Sequence, residues 1–340
     1  MILVTGGTGL LGSHLLYDLT KQGKTVRALV RDIHATQHVE KMFRLLHGSS
    51  ETQYSLIQWV EGDICDITSV ETAFDGVEEV YHCAALVSFY KGDNAHMMKI
   101  NAGGTANIVN ACLKHGVRKL IYASSVSALG HPEKGETIDE TAQWKPSHRN
   151  SGYAISKYSA EREVWRGIEE GLAAAIVNPS VILGISCKSA VENKVFQNLR
   201  RLHTFYTRGI TGYVDVRDVS RAMILLMDSN ITAQRYLIST ENLSYLEFVT
   251  MGAEILGKKK PTILLNRFWL SVTWRIDSVF SSIIRKKPLF TPEIIRPLYT
   301  SHTYSSEKYR AAFKHEFIPI KQSLADGFRL LGLLREETIR

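Results

Sequence analysis

The chain has 340 residues, 44% hydrophobic and 22% charged, the make-up of a folded protein with a large core rather than of a disordered or collagen-like chain. Its formal net charge is +7, yet the basic residues form only short clusters, Lys258-Lys259-Lys260 and Arg285-Lys286-Lys287, without the aromatic interleaving of a nucleic-acid surface, so no nucleic-acid partner is expected. The four cysteines, Cys65, Cys83, Cys112 and Cys187, have no CxxC spacing and no His cluster around them, which argues against a metal centre or a disulfide framework. Met1 leads straight into the apolar "ILV" with no basic leader ahead of it, and the expected location is cytoplasmic.

In chain order, "MILVT" is followed by a helix from about Leu10 to Lys21, then by "TVRALV", "LIQWVEGD", "VEEVYHCAA", "RKLIYASS" and "AAAIVNPS", with amphipathic segments between them. Strands apolar on both faces that alternate with helices predict an α/β fold, a doubly wound parallel sheet of Rossmann type covered by helices. Past Pro179 the rhythm breaks into an irregular mixture, read as a smaller, discontinuous C-terminal substrate lobe. The expected division is a dinucleotide-binding domain of residues 1–178 plus about 210–240, and a lobe of about 179–209 plus 241–340. "GYVDVRDVSRAMILLM", strand-like and then helical, is predicted to return to the main sheet. "RFWLSVTWRIDSVFSSII" places Trp269, Val272, Ile276, Val279 and Ile283 at helical spacing, as core packing, an apolar substrate wall or a membrane-surface helix. Arg275 and Asp277 interrupt it, so it is not a spanning segment and no membrane partner is expected.

Ligands of such sheets bind at the carboxyl ends of the strands. "VTGGTGLLGSHL" joins strand, glycine turn and helix, with glycines at 6, 9 and 12 and a GxGxxG at Gly7, Gly9 and Gly12. Missing Cβ atoms allow the tight turn and close backbone approach, and the helix N-terminus offers free N–H groups to a pyrophosphate. Gly6, Thr8, Gly9, Leu10, Leu11 and Gly12 are the cradle residues expected to hold a dinucleotide. At the end of the second strand Arg31 favours the 2′-phosphate of NADP(H), while Asp32 beside it leaves NAD(H) open.

With the cradle in place, the chain resembles the extended short-chain dehydrogenase/reductase family. "TGGTGLLG" matches its TGxxGxxG, "GDICD" its acidic post-strand motif, "HCAA" its xxAA strand end, "YASSVSALG" its serine strand and "YAISK" its YxxxK pair, with "INAGGT" and "NPSVILG" also in order. The resemblance covers about the first 185 residues and resumes at "YVDVRDV". It implies that Asp63 and Ile64 lie near the adenine, that Cys83, Ala84 and Ala85 pass beside the cofactor, that Asn101 is the family's asparagine, and that Asn178, Pro179 and Val181 form the strand end meeting the nicotinamide. "VYHCAALVSFYKGD" with "RALVRD" looks most like the dihydroflavonol-4-reductase and 3β-hydroxysteroid-dehydrogenase branch.

The chemistry implied is hydride transfer between a nicotinamide and a carbonyl or alcohol, which needs a group to give or take a proton at the same oxygen. Tyr153 is that candidate. Its phenol, with reference pKa near 10, needs an anion-stabilising neighbour, and Lys157 one turn away, with the positive nicotinamide ring, is expected to lower its pKa. Lys157 is also expected to hold the cofactor ribose. Ser125 is the better match for the serine that orients the substrate oxygen; Ser124, on the other side of the strand, is expected to brace the sheet or the cofactor, and Ser127 is a third candidate. His82 is expected to be structural, His131 lies in a loop of the kind that contacts substrate, and Glu136, Asp139 and Glu140 are expected to be solvated turn residues. A small-molecule substrate is the expected partner, and a homodimer is compatible with this reading. A nucleotide-sugar epimerase and a non-catalytic dinucleotide sensor are the alternatives; the intact Ser, Tyr and Lys set argues against the sensor.

Overall fold

Strands apolar on both faces must be covered on both faces, and neighbouring residues along each strand of the first half enter different cores. Val4, Ala28, Tyr81, Ile121 and Val177 pack into one cluster with Leu15, Leu16, Phe43 and Met223. Leu3, Leu29, Val80, Leu120 and Ile176 pack into another, with Phe74, Ile108 and Val164. Period-two alternation therefore sends each strand into two helix layers at once. The computed structural model describes residues 1–47, 51–130, 135–186, 194–201, 204–266 and 291–333, with a few positions between 268 and 277.

The elements that build this half are β1 (Ile2–Thr5), α1 (Leu10–Lys21), β2 (Val26–Val30), α2 (Thr36–His47), β3 (Ile57–Glu61), α3 (Ile67–Ala73), β4 (Glu79–His82), α4 (Gly104–Lys114), β5 (Lys119–Ala123), α5 (Gly152–Glu169) and β6 (Ala174–Pro179). The rest of the chain adds β7 (Val181–Leu183), β8 (Ile210–Asp215), α6 (Val216–Asp228), β9 (Gln234–Ile238), β10 (Glu241–Ser244), α7 (Tyr245–Ile255) and α8 (Ile320–Leu330). The main sheet has seven strands in the order β9-β6-β5-β4-β1-β2-β3, all parallel. β1 lies between β2 and β4, so successive crossovers leave it in opposite directions and open a crevice at its carboxyl end.

The register decides what faces that crevice. Thr5 pairs with His82, His82 with Tyr122, and Ala123 with Val177, so Gly6, Cys83, Ser124 and Asn178, the next residues along, share one edge. His82 ties this edge together. Its Nδ1 lies 2.6 Å from Thr5 Oγ1 and its Nε2 2.9 Å from Thr105 Oγ1, and burial pushes its pKa down to about 3, which keeps the ring neutral. The structural role expected for it follows from this placement.

The C-terminal half corrects one expectation. The strand of "GYVDV", β8, does not join the main sheet; it pairs parallel with β7 and antiparallel with β10 in a separate three-stranded sheet. What returns is α6, bound to α1 through Ser220 Oγ and Asp18 Oδ2 at 2.6 Å, and then β9, which extends the main sheet beyond β6. A third apolar cluster, including Leu183, Phe196, Tyr213, Phe248, Leu324 and Phe328, forms around the small sheet. α7 starts on a capping box, Ser244 with Glu247. Of the apolar stretch after Arg267, Trp269, Ile276, Val279 and Ile283 lie outside the described residues, as do His131 and Cys187. Among the described residues no helix is long and apolar enough to cross a membrane.

Candidate active site

The glycine turn after β1 is folded so closely on itself that side chains have no room. A Cβ on Gly12 would stand 2.2 Å from the Gly6 carbonyl oxygen, and one on Gly6, at φ +73°, would stand 2.6 Å from the Ala84 nitrogen. Both contacts are with backbone, which cannot yield locally. Gly9 is the N-cap of α1 and no side chain caps the helix, so the first-turn amides, from Leu10 onward, are left for a ligand. Thr8 lies in this turn and Leu11 in the first turn of α1. A pyrophosphate fits the residues present here.

Next along the edge, Ser124 and Ser125 follow β5 directly, and α5 stands over them. The helix starts where Ser151 accepts a hydrogen bond from Ala154 N at 3.1 Å, and its buried stripe includes Ala154, Lys157, Ala160, Glu161 and Val164. Ser125 caps the turn after the strand by accepting from Ser127 N at 3.1 Å, and its hydroxyl meets the Tyr153 phenol. Ser127 sits in that turn, its amide donating to the Ser125 hydroxyl. Ser124 points to the other side and donates to Glu161 Oε2 at 2.7 Å.

Burial pushes the Tyr153 phenol above its ordinary value, with the Ser125 hydroxyl acting the other way. These are the influences of the chain alone; the lowering expected from Lys157 acts together with a nicotinamide. Lys157, 1% exposed, donates to the Ala123 carbonyl at 2.7 Å and lies over the Tyr122 ring, 4.5 Å from its centroid. Its own pKa is pushed down to about 7 by burial, with Glu161 acting against the fall. The lysine is thus turned toward the strand below it, and its charge is itself under strain.

The other predicted residues fall along the same edge in two groups. Cys83 and Ala84 are half-buried and Ala85 is exposed beside the glycine turn; Ala84 N donates to Thr5 Oγ1 at 3.3 Å, and burial pushes the Cys83 thiol up to about 12. Asn101, in a π-helical turn over Met98–Gly103, clasps both the N–H and the C=O of Leu86 and donates to Ser156 Oγ, so it shapes the turn after β4. Asn178 is fully buried and donates to the Ser125 carbonyl at 3.0 Å and to Glu161 Oε2 at 2.8 Å. Pro179 is buried beside it, and Val181 is 38% exposed. At the far end, Arg31 and Asp32 are exposed, Asp32 accepting from His34 N, while Asp63 accepts from Cys65 N and Ile64 is buried. Among the described residues there is no group of three or more His, Cys, Asp or Glu arranged for a metal.

Two residues at the centre carry a sequence signal that the motifs passed over. Phe89 lies edge-on to Tyr153, ring centroids 6.0 Å apart, with Val87 and Tyr90 exposed on the same turn; three apolar side chains just beyond a strand end were the available clue. Glu161 is 2% exposed, and a charge four residues after Lys157 on a stripe of Ala and Val was the clue to it. Glu140 corrects another expectation: it is half-buried, and its carboxylate accepts from Leu237 N at 2.7 Å. Asp139 does behave as a turn residue, accepting from Thr141.

Residues 2–239 match the family model for the NAD dependent epimerase/dehydratase family. A protein of Synechocystis sp. provisionally named dihydroflavonol 4-reductase is 29% identical, with 95% of this chain and 92% of the relative covered. Cinnamoyl-CoA reductase 1 of Petunia hybrida is 26% identical over 97% of this chain and 92% of its own length. The crystal structure of Thermus thermophilus UDP-glucose 4-epimerase in complex with NAD superposes with a TM-score of 0.70 at 23% identity, covering 96% of this chain and 98% of that one. The chain belongs to the NAD dependent epimerase/dehydratase family, as an NAD(P)-dependent oxidoreductase of the extended short-chain dehydrogenase/reductase type.

Proposed function

We propose that the protein transfers hydride between NADP(H), with NAD(H) also accommodated, and a hydrophobic carbonyl or alcohol, using Tyr153 as its proton donor and acceptor. The observation that carries this reading is the meeting of Tyr153 with Ser125 at the end of β5, with Lys157 beneath and Phe89 against the phenol. The dinucleotide, when bound, supplies or takes the hydride.

The work of the chain itself divides among a few groups. The backbone amides at the start of α1 hold the pyrophosphate. Ser125 donates to the substrate oxygen and orients it, and Tyr153 passes a proton to that oxygen or removes one from it. A phenol held above its ordinary pKa is a weak acid, so the positive charge of Lys157 and of an oxidised nicotinamide is needed to stabilise its anion. Lys157 also hydrogen-bonds the cofactor ribose. Arg31 reaches the 2′-phosphate, and its exposure leaves it free to turn toward one. The apolar side chains of Val87, Phe89 and Tyr90 support an apolar substrate, aromatic or alicyclic, over a hydrated sugar.

The test is NADPH and NADH oxidation over a panel of aromatic, alicyclic and short polar carbonyls, with UDP-sugars incubated alongside. NADPH consumed faster than NADH, with apolar carbonyls, is the expected result. Tightly bound NAD that copurifies, together with interconversion of UDP-sugars, would replace this reading by the epimerase one.

A further inference from the structure

One buried carboxylate gathers more of the site than any of the motifs. We propose that Glu161 is a positioning residue for the reaction: one helical turn beyond Lys157, its carboxylate locks the ends of β5 and β6 together and supplies the negative charge that keeps Lys157 an ammonium. This rests on the function proposed above, in which Lys157 holds the cofactor and supports Tyr153.

The geometry is convergent. Oε2 accepts from Ser124 Oγ at 2.7 Å and Asn178 Nδ2 at 2.8 Å, and Oε1 accepts from Trp165 Nε1 at 3.4 Å and Arg235 Nη1 at 3.1 Å. The residue just after β5, strands β6 and β9 and helix α5 thus each send a donor to one side chain. Through the second amide hydrogen of Asn178, the same carboxylate fixes the Ser125 carbonyl and with it the turn that carries the Ser125 hydroxyl. Arg235 is anchored on the Glu140 and Ala142 carbonyls, which ties in the segment after the serine strand. Trp144, two residues on, stacks on Tyr158 of α5 at 4.4 Å.

The charge argument comes from what else faces Lys157. From β5 there is the Tyr122 ring, from the end of β4 His82 and Cys83, and from its own helix Glu161, with Tyr153 one turn before it in the chain. Burial keeps the two phenols protonated, holds His82 neutral and pushes the Cys83 thiol up to about 12. Among these described neighbours Glu161 is the one carboxylate, and it is the larger of the two groups that act to raise a lysine pKa driven down by burial to about 7, Cys83 being the other. Arg235 shares that carboxylate from the opposite side. A buried ammonium without such a partner gives up its proton. A neutral Lys157 could still accept a hydrogen bond from the ribose, but it could not stabilise the Tyr153 anion or attract the anionic cofactor.

The experiment is NADPH binding, read by cofactor fluorescence from pH 5.5 to 9.5, on wild type, Glu161→Gln, Glu161→Asp and Arg235→Met. In wild type the affinity falls as pH rises past the lysine's titration. In Glu161→Gln the midpoint of that fall moves down by about one pH unit, with affinity at pH 5.5 within about threefold of wild type, since there the lysine is charged in both. Glu161→Asp keeps the wild-type midpoint, and Arg235→Met, which frees the carboxylate from its cation, moves it up. Uniform weakening of Glu161→Gln at every pH, or the same midpoint in Arg235→Met as in wild type, overturns the proposal. If Glu161→Gln does not fold, the Arg235→Met arm decides. Turnover of Tyr153→Phe separates the two claims: turnover retained there defeats the function reading, whereas turnover lost with unmoved binding midpoints defeats only the role of Glu161.

Discussion

The two ends of the cofactor crevice are built in opposite ways. At the β5–β6 end Ser124, Lys157, Glu161 and Asn178 are buried and bound to one another or to strand carbonyls. At the β2–β3 end Arg31 and Asp32 are exposed, and the local bonds are short-range turns. The sealed end holds charges inside a low-dielectric core at a cost in stability, because proton transfer needs fixed geometry. In the function proposed here the open end is where exposed side chains meet the cofactor, so a substitution there is expected to change cofactor preference without touching the core.

Breaking the cradle that joins both ends has the largest effect. Gly12→Ala puts a methyl 2.2 Å from the Gly6 oxygen, and NADPH binding measured by fluorescence is expected to be lost. At the sealed end, Lys157→Met removes a buried charge along with cofactor binding. The folded-state pKa of Lys157, about 7, lies below its ordinary value of 10.5, so the folded chain binds fewer protons than the unfolded one between these pH values. The cost of burying this ammonium is therefore fully present below pH 7 and fades as pH rises toward 10.5. Urea unfolding should find Lys157→Met more stable than wild type by about 1–4 kcal/mol at pH 6.5, with the gap closing by pH 10. A gap that does not change with pH would mean that the lysine charge is not strained.

At the open end, Arg31→Ala should lower the NADPH-over-NADH preference in kcat/KM by about tenfold, the worth of one charge-assisted hydrogen bond, with no change in the unfolding midpoint. An unchanged preference would remove Arg31 from cofactor choice. The smallest effect is at the rim: Phe89→Ala should raise KM for an aromatic carbonyl by about three- to tenfold, from the loss of one ring contact, and leave NADPH binding unaltered. Equal KM changes for apolar and short polar carbonyls would argue against an apolar recognition role.

The same contrast explains what could be read in the amino-acid sequence. The main sheet was legible because its strands are short apolar runs at helix-length intervals, and the cradle because only glycine satisfies the Gly6 and Gly12 contacts. Tyr153, Lys157 and Ser125 were legible as a pattern; the register of β4, β5 and β6 sets the edge that carries Ser125, and the packing of α5 over β5 brings Tyr153 and Lys157 to it. The partner of β8 was not, since "GYVDV" looks the same whether it pairs with the main sheet or with Val181–Leu183, and pairing is non-local. Glu161 and Glu140 were hidden for a related reason. A carboxylate on a helix or turn reads as solvated until the donors that surround it, here Arg235 and the Leu237 amide from 74 and 97 residues away in the chain, are folded against it. The direction of the Lys157 side chain, toward Ala123 and Tyr122, is likewise a product of packing rather than of spacing.

The most direct test of the central claim is steady-state NADPH oxidation by Tyr153→Phe with an apolar carbonyl, alongside NADPH binding to the same variant. Removing one hydroxyl should lower kcat by about 10²–10⁴-fold while the dissociation constant for NADPH stays within about twofold of wild type, because the cradle and Lys157 are untouched. A variant that turns over at the wild-type rate would show that another group moves the proton, and the function proposed for this site would be wrong.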